Sequence, residues 1–93
     1  MKIDELEANS KVEELTAKII SLEEAGKTGS GLSFQEGVLE DESGQVKFTF
    51  WGDYVGIFEK DDVVKMSTGW CKEFEGSKQV STGKFGKVIK VTD

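Results

Sequence analysis

The sequence predicts an all-β fold, a five-stranded antiparallel Greek-key barrel. Eleven glycines are spread fairly evenly along its 93 residues, a spacing typical of short strands joined by turns. Several segments alternate apolar and polar residues with period two, the pattern of half-buried strands. Short turn sequences separate these segments, which favours hairpins and antiparallel pairing. With 37% hydrophobic residues the chain can bury one modest core, so residues 1–93 are predicted to form a single domain, either alone or as one module of a longer chain.

The first elements are predicted to be a helical turn and a long strand. Ile3 and Leu6 lie three residues apart in an acidic segment, which predicts a short helical turn with one edge on the core. The segment from Val12 to Leu22 predicts the first strand. Its predicted inward residues are Leu15, Ala17 and Ile19.

A glycine-rich segment, residues 23–31, follows the first strand. Because glycine and small polar residues interrupt regular structure, it is predicted to be a mobile loop that closes over one end of the barrel. The second strand is predicted for residues 32–39. Asp41 to Gly44 then form a tight turn, in which Gly44 is free to adopt a positive φ.

The segment from Gln45 to Trp51 shows the clearest alternation and predicts the third strand. One of its faces is predicted to lie in the core and the other to face solvent, which places a tryptophan on the outside. The predicted core face is Val46, Phe48 and Phe50, and the outward face is Lys47, Thr49 and Trp51.

The second half begins with a predicted break or short helical turn over residues 52–58, where Ile57 and Phe58 are expected to cap the core. Val63 to Trp70 predicts the fourth strand, with a bulge at Gly69. A hairpin turn at residues 75–77 leads to the last strand, residues 79–91, broken near positions 83 and 86. Five strands in this order fit the partly open Greek-key barrel called the OB-fold, with an SH3-like barrel as the alternative.

The residue types that are absent narrow the chemistry. The chain has no His, no Arg and one cysteine, Cys71, which is expected to be a buried thiol. Without His the commonest general base and metal ligand is missing, and one Cys cannot build a structural zinc site. We therefore expect a binding protein with no catalytic residues, metal or cofactor, and an enzyme based on carboxylates is a remote alternative. The single thiol and the lack of a secretory signal or a membrane-spanning apolar stretch predict a cytoplasmic, intracellular location.

Charge is distributed unevenly along the chain. The net charge is −6, yet residues 1–44 contain four Lys and eleven acids (−7), whereas residues 45–93 contain eight Lys and seven acids (+1). The second half can therefore present a mildly basic surface, and the local field matters more for docking than the total charge.

Three aromatic residues, Trp51, Trp70 and Phe74, carry the functional prediction. Strand alternation places Trp70 and Phe74 on one side of the fourth strand, and every base of a single strand exposes a π face on which such rings can stack. The competing interpretation is that both tryptophans belong to the core, where Phe34 and Phe58 are expected. Phe85 is expected there as well, with stacking at an edge of the barrel as its alternative role. Candidate contacts to phosphates or bases are Lys18, Lys47, Thr49, Lys72, Lys84 and Lys87.

These residues occur in sequences that resemble a known family. The block from Leu39 to Gly52 (LEDESGQVKFTFWG) is similar to the acidic turn, alternating strand and Trp of archaeal single-stranded-DNA-binding proteins, which are related to replication protein A. Residues 61–66, residues 70–76 and the opening residues 3–6 extend the resemblance over nearly the whole chain. It implies an OB-fold in which Trp51, Trp70 and Phe74 stack on bases, with no enzyme activity and no metal. The family usually has more basic side chains, including Arg, in the loop where this chain has Lys27.

Together these observations predict non-catalytic binding of single-stranded DNA with little sequence preference, in DNA replication or repair. RNA would use the same surface, because the two differ to a protein mainly through the 2′-hydroxyl. The alternative from a different class is a protein-interaction or assembly domain of a replication protein A-like complex, favoured by the acidic first half. No membrane partner is expected.

Overall fold

The computed structural model describes residues 1–91, except for the side chains of Phe74, Lys84 and Phe85 and position 83. These residues form two 3-10 turns and six strands, joined by turns and loops. Their bounds are η1 (Ile3–Glu5), β1 (Ser10–Leu22), β2 (Gly26–Lys27), β3 (Ser33–Asp41), β4 (Gly44–Trp51), η2 (Gly52–Tyr54), β5 (Val63–Phe74) and β6 (Ser77–Lys90). Within the described range, no helix has the length and apolar character needed to cross a bilayer.

The five long strands close into a barrel in the order β1-β5-β6-β4-β3, and β3 pairs back onto β1. All neighbouring pairs are antiparallel except β4 and β6, which run parallel over residues 47–49 and 79–81. This is the OB-fold, so the predicted all-β Greek-key barrel is confirmed. The predicted helical turns at the N-terminus and between the third and fourth strands are confirmed as η1 and η2.

The core lies inside the barrel, where the inward residues of every long strand meet. The alternation predicted for β1 and β4 is confirmed, because each inward residue named from the sequence is at most 6% exposed. Ile3 and Leu6 pack onto the core, as predicted, and Cys71 is fully buried. Burial raises the pKa of the Cys71 thiol, and nearby Lys78 partly opposes that effect. Among the side chains that the structure describes, the largest fully buried ones are Phe48, Phe50, Leu15, Ile19, Leu39 and Met66.

The segment of residues 23–31 differs from its prediction. Gly26 and Lys27 form β2, which pairs antiparallel with the start of β3. The turn between β2 and β3 is closed by Thr28, whose N–H donates to the Leu32 carbonyl at 2.9 Å while its hydroxyl accepts from the Leu32 N–H at 3.2 Å. The prediction of a loop without regular structure was therefore wrong, because a threonine and its hydroxyl close a hairpin that glycine counting does not reveal.

The second half follows its predictions more closely, with a few corrections. Phe58 is buried at 6% exposure, but Ile57 is 59% exposed and does not cap the core. The pairing of β5 with β6 shifts register between Ser67 and Gly69, which places a bulge at Thr68, one residue before the predicted position. On the β6 side the pairs that flank this shift are Gly69 with Thr82 and Ser67 with Lys87, both within the single strand β6. Glu75 and Gly76, both with positive φ, form the hairpin turn between the two strands.

Asp41 holds η1 against the turn between β3 and β4. Its carboxylate accepts hydrogen bonds from the N–H groups of Ile3 (2.8 Å), Ser43 (2.7 Å) and Gly44 (3.2 Å) and from the Ser43 hydroxyl. Burial alone would raise the pKa of Asp41, but these hydrogen bonds outweigh it and keep the pKa below its ordinary value of 3.8. The ionised carboxylate is therefore the form that stabilises the fold.

We expect Asp41→Asn to lower the urea midpoint of unfolding at pH 7. The pKa of Asp41 is depressed in the folded state, so its contribution is present above the unfolded value and is lost as pH falls through the folded value. The difference between wild type and variant should therefore shrink below about pH 3.8. Asp53→Asn, at an exposed residue of η2, is the matched control. Equal midpoints for Asp41→Asn and wild type at pH 7 would contradict this role.

Candidate nucleic-acid interface

The outward face of β3, β4, β6 and β5 forms a continuous surface, which we call the platform. Strand registers define it: Glu36 pairs with Thr49, Thr49 with Ser81, Ser81 with Trp70, and Trp70 with Lys11 of β1. These five residues are exposed or half-buried, whereas the adjacent inward positions are buried, except for the half-buried Ser10 at the start of β1. The platform therefore crosses the sheet at right angles to its strands.

Trp70 is the most exposed aromatic described on the platform, with 45% of its surface accessible. Its orientation follows from β5: Gly69 and Cys71 are both buried, so Trp70 between them points outward. The bulge at Thr68, which has φ of 54°, lets Ser67 and Trp70 occupy outward positions although they are three residues apart. Burial of Cys71 thus fixes the outward position of Trp70.

Trp51 ends β4 on the same face and is half-buried. Its backbone N–H donates to the hydroxyl of Thr82 on β6 at 3.3 Å. This hydrogen bond extends the contact between β4 and β6 beyond their paired residues. Its ring packs against Phe34, its partner on β3, with ring centroids 5.7 Å apart and planes tilted by 45°. The Trp51 ring therefore packs against Phe34, and part of the ring remains accessible to a ligand.

The two tryptophans lie close enough to serve one ligand. Thr49 and Trp70 occupy one row, separated by β6, and Trp51 is the next outward residue of β4 after Thr49. With strands about 4.8 Å apart and a rise of about 3.4 Å per residue, the α-carbons of Trp51 and Trp70 are about 12 Å apart on a flat sheet. Both rings therefore belong to one surface built from two separate parts of the chain.

Lysines border the platform on one side of Trp70. Lys47 and Lys72 both pair with Gln79, from opposite sides, so the three residues form the next row across the sheet. Lys11 is the register partner of Trp70 on β1. The ion pairs found among the described residues involve other lysines, so the platform amines are available to an anion.

Beyond this row β4 and β6 separate and leave a groove of about 540 Å³. Lys47 and Lys78 lie along it, but so do Asp4 and Glu73. The Lys78 ammonium donates to the Leu6 carbonyl at 2.6 Å. The groove is therefore mixed in charge, and the basic part of the surface is the lysine row itself.

One predicted site residue, Lys18, lies away from Trp51 and Trp70, whereas Lys87 lies one outward row from Trp70. Lys18 pairs with Glu40 and Val63 near the other end of β1, and its ammonium lies 3.7 Å from the Asp61 carboxylate. Lys87 lies on β6 opposite Ser67, beyond the bulge. The predicted contacts of Phe74, Lys84 and Phe85 fall on side chains outside the described part of the structure.

The structure adds residues that sequence reasoning did not select. Phe34 was expected in the core but is half-buried on the platform, because β3 alternates Phe34, Glu36 and Val38 outward. Lys11 joins the platform through the register of β1 with β5, which one sequence does not reveal. Gln35 faces inward, donates to the Glu23 carbonyl at 2.9 Å and accepts from the Gly56 N–H at 3.0 Å. It ties the segments on either side of the Phe34–Trp51 pair together.

Known proteins resemble this chain in both sequence and fold. No protein-family model matches the chain. It is 28% identical over 95 residues to the single-stranded DNA binding protein Ssb of Saccharolobus solfataricus, covering 99% of this chain. The chain spans 64% of the length of that relative.

Solved structures give the same fold. The OB domain of MM0293 from Methanosarcina mazei matches with a TM-score of 0.78 and 28% identity, over 98% of this chain and 81% of that one. The second OB-fold domain of replication protein A from Methanococcus maripaludis matches with a TM-score of 0.78 and 17% identity, over 100% and 97%. The chain is therefore an OB-fold domain that resembles an archaeal single-stranded-DNA-binding protein and the OB domains of archaeal replication protein A, as its sequence predicted.

Proposed function

We propose that this domain binds single-stranded DNA without catalysis and with little sequence preference, in DNA replication or repair. Bases stack on Trp51 and Trp70, and Lys47 and Lys72 contact phosphates, with Lys11 beside Trp70. Stacking is tolerant of sequence because every base has a π face, and each stacked base contributes about 1–3 kcal/mol. Thr49, between the two rings, supplies a hydroxyl for hydrogen bonding.

One observation carries this proposal: two tryptophans from different strands share an outward face bordered by lysines. Trp70 points away from the core and is 45% exposed, and exposed aromatic groups that share one face of a protein commonly mark a binding site. The similarity to a protein named for single-stranded DNA binding supports the same function. As a small domain, it would gain affinity by linkage to further modules.

We expect intrinsic tryptophan fluorescence to be quenched when the protein is titrated with unstructured oligo-dT. Stacking on either ring quenches emission, and three lysines that neutralise phosphates should give a slope of about −2 in a plot of log affinity against log salt concentration. The measurement is a titration at several salt concentrations. An oligomer of abasic residues with the same phosphates is the control, since it retains the charges and lacks the rings.

Each outcome of this titration is informative. Quenching by oligo-dT and little quenching by the abasic oligomer supports stacking. Equal quenching by both would place the binding energy in phosphate contacts alone and contradict the role of the rings. Absence of binding even at low salt would overturn the proposed function.

A protein-interaction domain is the second candidate. Its support is the charge of −7 on residues 1–44 together with the exposed side chains of Leu32 (50%) and Ile57 (59%). An acidic surface of this kind fits a basic partner in a replication protein A-like assembly. This function predicts no salt-dependent quenching by oligo-dT. Oligo-U in the same titration measures the preference for RNA or DNA.

A further inference from the structure

A row of three residues crosses from β2 through β3 to β4 at the end of the platform. Gly26 pairs with Phe34, and Phe34 pairs with Trp51. The middle residue thus has a neighbour on each side, a glycine without a side chain and a tryptophan ring. We call these residues the Phe34 row.

The ring of Phe34 fills the space over Gly26. A Cβ at Gly26 would lie 3.1 Å from Cζ and 3.2 Å from Cε1 of Phe34, closer than most such contacts in proteins. An aromatic ring lying over a cross-strand glycine covers backbone that would otherwise be exposed. Gly26 therefore provides the room in which the Phe34 ring lies.

On its other side the Phe34 ring meets Trp51 with centroids 5.7 Å apart and a tilt of 45°. Pairs of rings in this range attract one another beyond the area they bury. Trp51 is the last residue of β4, where a side chain has fewer neighbours along its own strand. Among the described residues, Phe34 is an aromatic neighbour whose ring restricts how the Trp51 ring can turn.

We infer that Phe34 is a positioning residue for the nucleic-acid site: it holds the Trp51 ring ready for stacking and extends the stacking surface onto β3. A ring that is already ordered loses less conformational freedom when a base binds. The two-residue strand β2 then has a role in binding, because it delivers Gly26 to the far side of Phe34. This inference rests on the proposed function and adds Phe34 and Gly26 to its site.

The first test needs no ligand. In a Trp70→Phe background Trp51 is the only tryptophan, so emission reports on its surroundings. Phe34→Ala should shift the emission of the free protein to longer wavelength and lower its anisotropy, and Phe34→Tyr should restore both. An unchanged spectrum and anisotropy in Phe34→Ala would overturn the positioning role.

The second test measures affinity by the anisotropy of a labelled oligo-dT. Phe34→Ala should weaken binding about 2- to 10-fold, the range for loss of one aromatic pair, and Phe34→Tyr should recover most of it. Gly26→Ala keeps the Phe34 ring but displaces it, so a smaller loss in the same direction is expected. Gly29→Ala, in the adjacent turn with open space around it, is the matched control.

These results separate the inference from the proposed function. If wild type binds and Phe34→Ala, correctly folded by circular dichroism, binds equally well, then Phe34 has no role in the site although the proposed function stands. If wild type itself fails to bind, the proposed function fails, and the ligand-free measurement still decides whether Phe34 orders Trp51. Equal loss in Gly26→Ala and Gly29→Ala would contradict the role of Gly26.

Discussion

Replacement of both Trp51 and Trp70 by alanine is expected to weaken oligo-dT binding about 30-fold or more. Each stacked base contributes about 1–3 kcal/mol, so removal of two stacking rings costs at least about 2 kcal/mol. The two rings lie on one outward face, and neither is among the buried core residues. We therefore expect the double variant to fold. Anisotropy of a labelled oligo-dT measures the loss, because the variant has no tryptophan emission.

The matched control for this variant is Ile89→Ala, at an apolar residue of β6 that is 58% exposed and pairs with Lys65 beyond the bulge. Its affinity should equal that of wild type. An unchanged affinity in the double variant, with circular dichroism showing an intact fold, would remove the rings from the site. Loss of affinity in Ile89→Ala would place the binding surface elsewhere on the barrel.

Gly37→Ala is expected to destabilise the domain by about 3 kcal/mol, the upper end of the range for overpacked cores. A Cβ at this position would lie 2.2 Å from the Ser21 carbonyl oxygen and 2.7 Å from the Phe48 ring. Neither neighbour can move easily, because the first is backbone of β1 and the second is fully buried. Urea unfolding followed by circular dichroism measures the change.

Gly29→Ala again serves as control, since nothing lies within 4 Å of a Cβ there and surface changes of this kind stay within about 0.5 kcal/mol. Similar midpoints for Gly37→Ala and Gly29→Ala would show that β1 and β3 separate to admit the methyl group. The close approach of the two strands at Gly37 would then not be required for stability.

The sequence alone predicted the fold correctly where a residue pattern is compatible with only one local structure. The alternation of Val46, Phe48 and Phe50 specified the core face of β4, and Glu75 with Gly76 marked the hairpin between β5 and β6. It was insufficient at the β2–β3 hairpin, because its closure depends on the hydroxyl of Thr28. Composition alone could not separate Ile57, which is exposed, from its neighbour.

The candidate site was predictable to the extent that it depends on local alternation. Trp51, Lys47 and Thr49 could be assigned outward positions from β4 alone. Lys18 also faces outward, but it pairs with Glu40 of β3 and its ammonium lies 3.7 Å from the Asp61 carboxylate, away from the tryptophans. Strand register depends on long-range packing, so neither the position of Lys18 away from the tryptophans nor the contact of Phe34 with Trp51 was accessible from a single sequence.

The parallel contact between β4 and β6 has a consequence for thermodynamic linkage. This contact, which we call the seam, spans three residue pairs and ends at Thr49 and Ser81. The hydrogen bond from the Trp51 backbone N–H to the Thr82 hydroxyl extends it. Trp51 lies on one side of this seam and Trp70 on the other. A strand of DNA stacked on both rings would bridge the seam and favour its closed state, since a ligand stabilises the state it binds. Opening of the seam and release of the strand would then be coupled, and hydrogen exchange at Thr49 and Ser81 would slow as DNA is added.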